Sequence, residues 1–152
     1  MSKLKIFAKS IIIPVALGTL VGLITSGSMD YTMLERPAFA PPGILFPIVW
    51  TILYTLMGIS YGILKSNSLV DSDIDFIYYA QLVVNLLWPF FFFVFDWRLF
   101  SFLWIILLII LVVIMIIRFY RKNNLAGLLQ IPYLLWLLFA SVLNLSVYLL
   151  NK

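Results

Sequence analysis

The sequence predicts an all-α integral membrane protein, a single bundle of five transmembrane helices. Three observations carry that prediction. Of the 152 residues, 64% are hydrophobic and 11% are charged, whereas soluble domains average about 45–50% apolar and about 25% charged. The apolar residues gather into five runs, at 5–26, 44–64, 76–95, 99–119 and 127–149, each near the roughly 20 residues that cross about 30 Å of hydrocarbon. Backbone groups inside lipid must pair within their own segment, so these runs are expected to be helices. The polar connections are too short to fold alone, which makes residues 1–152 one membrane domain.

Taken in order, the first run follows Lys3, Lys5 and Lys9, as the apolar stretch of a signal peptide would. It continues to Ile24, longer than the 7–15 residues of such a stretch, and is read as a span. Gly18 and Gly22 within it form a small-xxx-small pair, matched by Gly58 and Gly62 in the second run. Such pairs let helices approach closely, here either the first two spans or the contact of a homodimer. Between these runs lies a proline-stiffened loop, 27–43, with Pro37, Phe39, Pro41 and Pro42. Proline fixes φ and removes a backbone donor, so this segment is not helix; it reads as a rigid lid. It opens into the second span, where Trp50 and Tyr54 stand one turn apart on one face. Trp50 is near enough to the span's start that an interfacial aromatic belt is the alternative reading.

In the third span Gln81, Asn85 and Trp88 share a face. Pro89 has no N–H to bond the Asn85 carbonyl, four residues back. The Asn85 carbonyl and amide are thus candidates to face a cavity, with interhelical hydrogen bonding as the equal alternative. From Leu103 to Ile117 the fourth span has no polar side chain except the Trp104 indole, and it is assigned to scaffolding. The fifth carries Tyr133, Trp136, Ala140 and Asn144 on one face, behind Pro132 in its first turns. Trp136 is too deep for a belt, and Ala140 leaves space beside it; Trp97 and Tyr120, at span ends, are belt residues.

Composition removes whole classes of chemistry. With no Cys and no His, there are no disulfides, thiolate nucleophiles or imidazole bases, and no usual ligands for zinc or haem iron. The acids lie outside the spans or at their edges, so no metal site is expected, and Asp71, Asp73 and Asp75 read as a solvated loop or helix cap. The net charge of +4 comes from basic residues beside span ends, which points to topology control rather than nucleic acid. Lys3, Lys5, Lys9, Lys65, Arg118, Arg121 and Lys122 fall on the N-terminal side, against Arg36, Arg98 and Lys152 on the other. The N-terminus is therefore expected in the cytoplasm, with the 27–43 loop outside. Leu145 to Lys152 fits a proposed cholesterol-contact pattern, a weak signal in any helix end.

Together these motifs resemble the TspO/MBR family of tryptophan-rich sensory and translocator proteins. The likeness runs from about Pro14 to Asn144, through Gly18-x-x-x-Gly22, Arg36-Pro-x-x-x-Pro41-Pro42, Pro47-x-x-Trp50-x-x-x-Tyr54-x-x-x-Gly58, Gln81-x-x-x-Asn85-x-x-Trp88-Pro89 and Pro132-Tyr133-x-x-Trp136-x-x-x-Ala140-x-x-x-Asn144. The resemblance implies a five-helix bundle in a bacterial cell membrane, with a ligand pocket near the first loop. Trp50 and Tyr54 would form one wall, Asn85 and Trp88 a second, and Trp136, Ala140 and Leu143 a third. It implies porphyrins such as protoporphyrin IX as ligand or substrate, with no required cofactor. The expected role is a receptor or sensor for flat hydrophobic molecules; the alternatives are light- and oxygen-dependent tetrapyrrole degradation, using Trp50 and Trp136, and transport of hydrophobic metabolites. Two positions depart from the family pattern: Phe39 stands where many relatives have Trp, and Leu145 stands where animal members place the Tyr of their cholesterol motif.

Overall fold

A computed structural model of the protein describes residues 2–28 and 33–152. Residues 29–32 of the expected lid lie outside it. Five segments are long and apolar enough to cross a membrane: Lys3–Thr25, Leu45–Ser66, Ser72–Val94, Arg98–Lys122 and Asn124–Asn151. The helices are α1 Lys3–Thr25, α2 Leu45–Ser66, α3 Ser72–Pro89, α4 Arg98–Lys122, α5 Asn124–Leu128 and α6 Ile131–Asn151, and no strand occurs among the described residues. The chain alternates direction at each span. The start of α1 and the α2–α3 and α4–α5 connections lie at one end, the basal end. The α1–α2 loop, the α3–α4 turn and the C-terminus lie at the other, the loop end.

Three boundaries differ from the sequence expectation, each for a local reason. The third span starts at Ser72 rather than near 76, because Asp71 caps it: its Oδ1 accepts from the Ile74 N–H at 2.9 Å. Asp73 and Asp75 then occupy the first turn, where carboxylates are favoured by the helix dipole but lower the local hydropathy. The same span ends in a π turn, Phe90–Val94, beyond Pro89, the kind of local rewinding found where the regular bonding ladder is interrupted. The fifth span is two helices, not one. Pro132 offers no N–H to the Leu128 carbonyl, and the chain turns at Leu129–Gln130 before α6 begins.

The Asp71 carboxylate also meets Lys122 Nζ at 2.8 Å, tying the α2–α3 connection to the end of α4. The hydrogen bond from Lys122, with that from Ile74, holds the carboxyl below its usual range. The resulting contribution to stability is present above the unfolded-state pKa and is lost as pH falls through the lower folded one. Asp71→Asn should abolish this acid dependence, measured as the pH profile of thermal unfolding in detergent.

The core runs along the bundle axis. Met57 and Leu64 from α2, Tyr78 from α3, Val112 and Met115 from α4 and Leu137 from α6 are all buried. The fourth span is both things its all-round apolarity allowed. Ile105, Leu108, Val112, Met115 and Phe119 recur inward at helical spacing, while Leu103, Ile106 and Ile110 stay exposed on the outer side. The one polar group of its middle is used: the Trp104 indole N–H donates to the Val84 carbonyl at 2.7 Å, linking α4 to α3. Trp97 and Tyr120 are half-exposed at the ends of α4, as belt residues should be.

Of the four paired glycines, three work inside the chain. A Cβ on Gly58 would sit 2.5 Å from the Ile11 Cα and the Ser10 carbonyl, so α1 and α2 touch backbone to backbone there. A Cβ on Gly62 would meet the Phe7 ring at 2.7 Å, and one on Gly18 would run into the Tyr54 ring. Gly22 departs from the expected symmetry and has open space beside it.

Candidate functional site

The seven proposed wall residues come from α2, α3 and α6, all toward the loop end. Trp50 and Tyr54 lie on one face of α2, with ring centroids 5.5 Å apart. Trp50 also meets Tyr133 of α6 edge-on at 6.2 Å. This residue therefore packs inward against the core rather than standing in a belt.

Below Trp50 a chain of hydrogen bonds crosses three helices. The Tyr54 hydroxyl donates to Asn85 Oδ1 at 2.5 Å. Asn85 Nδ2 donates to the Tyr133 hydroxyl at 2.7 Å, which in turn donates to Gln81 Oε1 at 2.8 Å. Gln81 Nε2 ends the chain on the Met57 sulfur at 3.4 Å. Of the two readings open for the Asn85 amide, interhelical bonding is the one the structure adopts. Its side chain is engaged at both ends. Buried polar groups without partners cost about 1–3 kcal/mol each, which explains why the chain is closed so completely.

Nearer the loop, a second polar knot joins α3, α4 and α6. The Trp88 indole donates to Asn144 Oδ1 at 3.0 Å, and Asn144 Nδ2 donates to the Arg98 carbonyl at 2.9 Å. The Ser101 hydroxyl lies 3.1 Å from the same Asn144 oxygen and 2.9 Å from the Arg98 carbonyl. Around this knot sits an apolar cluster of Phe92, Leu143 and Val147, against which Leu34 and Ala40 of the loop are packed. The loop is also clipped to the end of α6. The Glu35 N–H donates to Asn151 Oδ1 at 3.1 Å, and Asn151 Nδ2 donates back to the Glu35 carbonyl at 2.8 Å.

Trp136 takes a different direction from Tyr133 and Asn144. The deepest line of α6 runs Tyr133, Leu137, Ser141, Asn144, and Trp136 and Ala140 stand half-buried beside it. The Trp136 ring meets Phe46 at 5.9 Å and Phe139 at 5.4 Å, and Phe139 meets Phe39 of the loop at 6.1 Å. Its indole N–H is buried and has no acceptor. Pro41 and Pro42 lie between these loop contacts and α2, where the Pro42 carbonyl accepts from the Leu45 N–H at 3.0 Å. Pro37 closes a turn in the same way, accepting from the Ala40 N–H at 3.0 Å.

A cavity of about 460 Å³ opens beside this region, lined by Met33, Leu34, Phe92, Phe93, Asp96 and Arg98 among others. Arg98 pairs with Asp96 at 3.2 Å through one terminal nitrogen, while its Nε is buried without a partner. Asp96 reaches this position through a left-handed backbone turn, φ 56°, that brings α3 round into α4.

Arg98, Ser101, Phe46 and Phe139 are members of this region that the motif reading passed over. Phe46 and Phe139 carried a usable signal, lying one helical turn from Trp50 and Trp136. Arg98 carried another, as the single cation between the third and fourth spans. Ser101 had none, because a lone serine at a span edge has many uses.

The chain matches the model described as "TspO/MBR family" over residues 10–150. It is 40% identical to the tryptophan-rich protein TspO of Archaeoglobus fulgidus, covering 99% of both chains. It is 34% identical to the protein CrtK of Rhodobacter capsulatus over 86% of this chain and 83% of that one. The human translocator protein is 30% identical over 78% of this chain and 72% of its own.

Proposed function

This chain belongs to the TspO/MBR family and is a multi-pass integral membrane protein, and on that premise we propose that it is a receptor or sensor for porphyrins such as protoporphyrin IX and similar flat hydrophobic molecules. The observation that carries the proposal is the half-buried Trp136 indole, set against Phe46 and Phe139 with its buried N–H unused. An aromatic ring offers a planar ligand its face, and the free donor offers one of its polar atoms a partner. A cavity at the loop end, lined by none of the seven wall residues, adds room nearby, and Arg98 in its lining, beside Asp96, supplies a cation suited to a carboxylate of the ligand. Trp50 then acts from behind through its ring contacts with Tyr54 and Tyr133, and Tyr54, Asn85 and Trp88 fix the wall through the hydrogen bonds described above. Ala140 and Leu143 shape it by size. Pro37, Phe39, Pro41 and Pro42 belong to the lid, which must yield for a macrocycle to enter.

Titration of the purified protein with protoporphyrin IX should quench tryptophan fluorescence saturably. Ala140→Phe, which fills the space beside Trp136, should weaken binding by about tenfold or more, as expected when one well-packed contact worth about 1.4 kcal/mol is lost. Unchanged quenching in that variant would place the ligand elsewhere.

The second reading is photo-oxidative degradation of the bound pigment. It is favoured by the two half-buried indoles, Trp50 and Trp136, on neighbouring helices and linked through Phe46 and Tyr133 to the aromatic cluster. Illumination in air should then consume bound protoporphyrin, while dark or anaerobic samples keep it. Equal pigment loss after both tryptophans become Phe would remove this reading and leave binding intact. No cofactor beyond the porphyrin is called for. We place the N-terminus in the cytoplasm of a bacterial cell, on the excess of Lys and Arg at the basal end. As for a homodimer, Gly18, Gly58 and Gly62 are occupied within the chain, which leaves Gly22 as the member of the two pairs free to meet a second copy.

A further inference from the structure

At the opposite, basal end a second concavity lies between α1, α2 and α3, about 150 Å³ in volume. Lys9 of α1 and Lys65 of α2 flank it, Ile6 and Ile13 line its side toward the membrane, and Tyr61 and Tyr78 close it. Neither lysine forms an ion pair among the described residues. Tyr61 is satisfied, donating to Asp75 Oδ1 at 2.6 Å. Tyr78 is not: it is 1% exposed, stacked on Tyr61 at 4.5 Å, and its hydroxyl has no partner. Two unpaired cations, an orphaned buried hydroxyl and an apolar margin thus converge toward the basal ends of α1, α2 and α3. Asp75 accepts from Tyr61 and no carboxylate lines the cleft, so two lysines against that one acid leave it net positive.

We propose that this cleft binds the phosphate of an acidic phospholipid, with Lys9 and Lys65 contacting its charge and the Tyr78 hydroxyl donating to an oxygen. Basic recesses between transmembrane helices are suited to acidic headgroups because lysine charge and apolar wall meet in one place. The acyl chains would continue over Ile6 and Ile13, along the exposed side of α1. This site is separate from the aromatic region at the loop end and does not depend on what binds there.

The test is native mass spectrometry of the full chain released from mixed micelles of phosphatidylglycerol and phosphatidylcholine. Wild type should retain one phosphatidylglycerol selectively. Lys9→Gln with Lys65→Gln should reduce that retention about 25-fold, from about 1 kcal/mol per lysine. Lys3→Gln with Lys5→Gln removes the same charge outside the cleft and should leave retention within about twofold. Tyr78→Phe keeps the ring and should weaken retention several-fold while the thermal midpoint holds. Equal losses in the two double variants would overturn the proposal in favour of diffuse surface attraction. Displacement of the lipid by millimolar inorganic phosphate would overturn the lipid assignment, since the acyl chains would then contribute nothing.

Discussion

Replacing Gly58 by Ala is expected to destabilise the protein by about 1–3 kcal/mol, the usual range for forcing extra volume into a packed contact. The new methyl would stand 2.5 Å from the Ile11 Cα and the Ser10 carbonyl, and both are backbone atoms that cannot rotate away. The helices must separate, which also loosens Gly62 from Phe7 and Gly18 from Tyr54. Gly22→Ala is the matching control. It has nothing within 4 Å, so the change should be neutral or stabilise by up to about 1 kcal/mol through helix propensity. Thermal unfolding of both variants in the same detergent would decide the matter. Equal behaviour would mean that the α1–α2 contact is not as close as described.

Asn85→Leu should cost about 2 kcal/mol. The change strips the acceptor from the Tyr54 hydroxyl and the donor from Tyr133, both buried. Leaving one such group unsatisfied costs about 1–3 kcal/mol. Interhelical bonds within membranes are weaker on average, about 0.6 kcal/mol, which pulls the expectation below a full penalty for both groups. The informative variant is the double one. Tyr54→Phe also removes one partner of the pair, so Tyr54→Phe with Asn85→Leu should cost less than the two single losses added together. Strict additivity to within about 0.5 kcal/mol would show that the bond carries no coupling. Because the Tyr54 ring lies tilted against Trp50, the same variants should alter the Trp50 contribution to fluorescence, an independent reading of the network.

Much of the fold was legible in the sequence because membrane spans leave a strong one-dimensional signature. Five apolar runs and their order were all visible. The ends were less so. Asp71 and the acids after it read as a solvated loop or a helix cap, and the structure adopts the cap; the span was started late, near 76, because hydropathy counts a capping carboxylate as a break. The turn before Pro132 was hidden inside a long apolar run, where its only mark was the proline itself. In the candidate site the aromatic and amide residues were found by their helical spacing. Their partners were not. Spacing places Asn85 on a face, but whether that amide meets a cavity or the Tyr54 and Tyr133 hydroxyls depends on the rotation of three helices about their own axes.

The same distinction separates the two kinds of knowledge throughout this protein. The sequence alone determined the membrane class, the five spans, the excess of cations at one end and the exclusion of thiol and imidazole chemistry. Each of these depends only on which residues are present and at what local period. Only the tertiary structure decided that three of four glycines serve α1–α2 contact, that the Trp136 N–H is left free while those of Trp88 and Trp104 are used, and that Tyr78 ends beside two unpaired lysines. These facts depend on how neighbouring helices are rotated and how closely they approach. Side-chain packing sets both, and the relevant partners lie tens of residues apart in the chain.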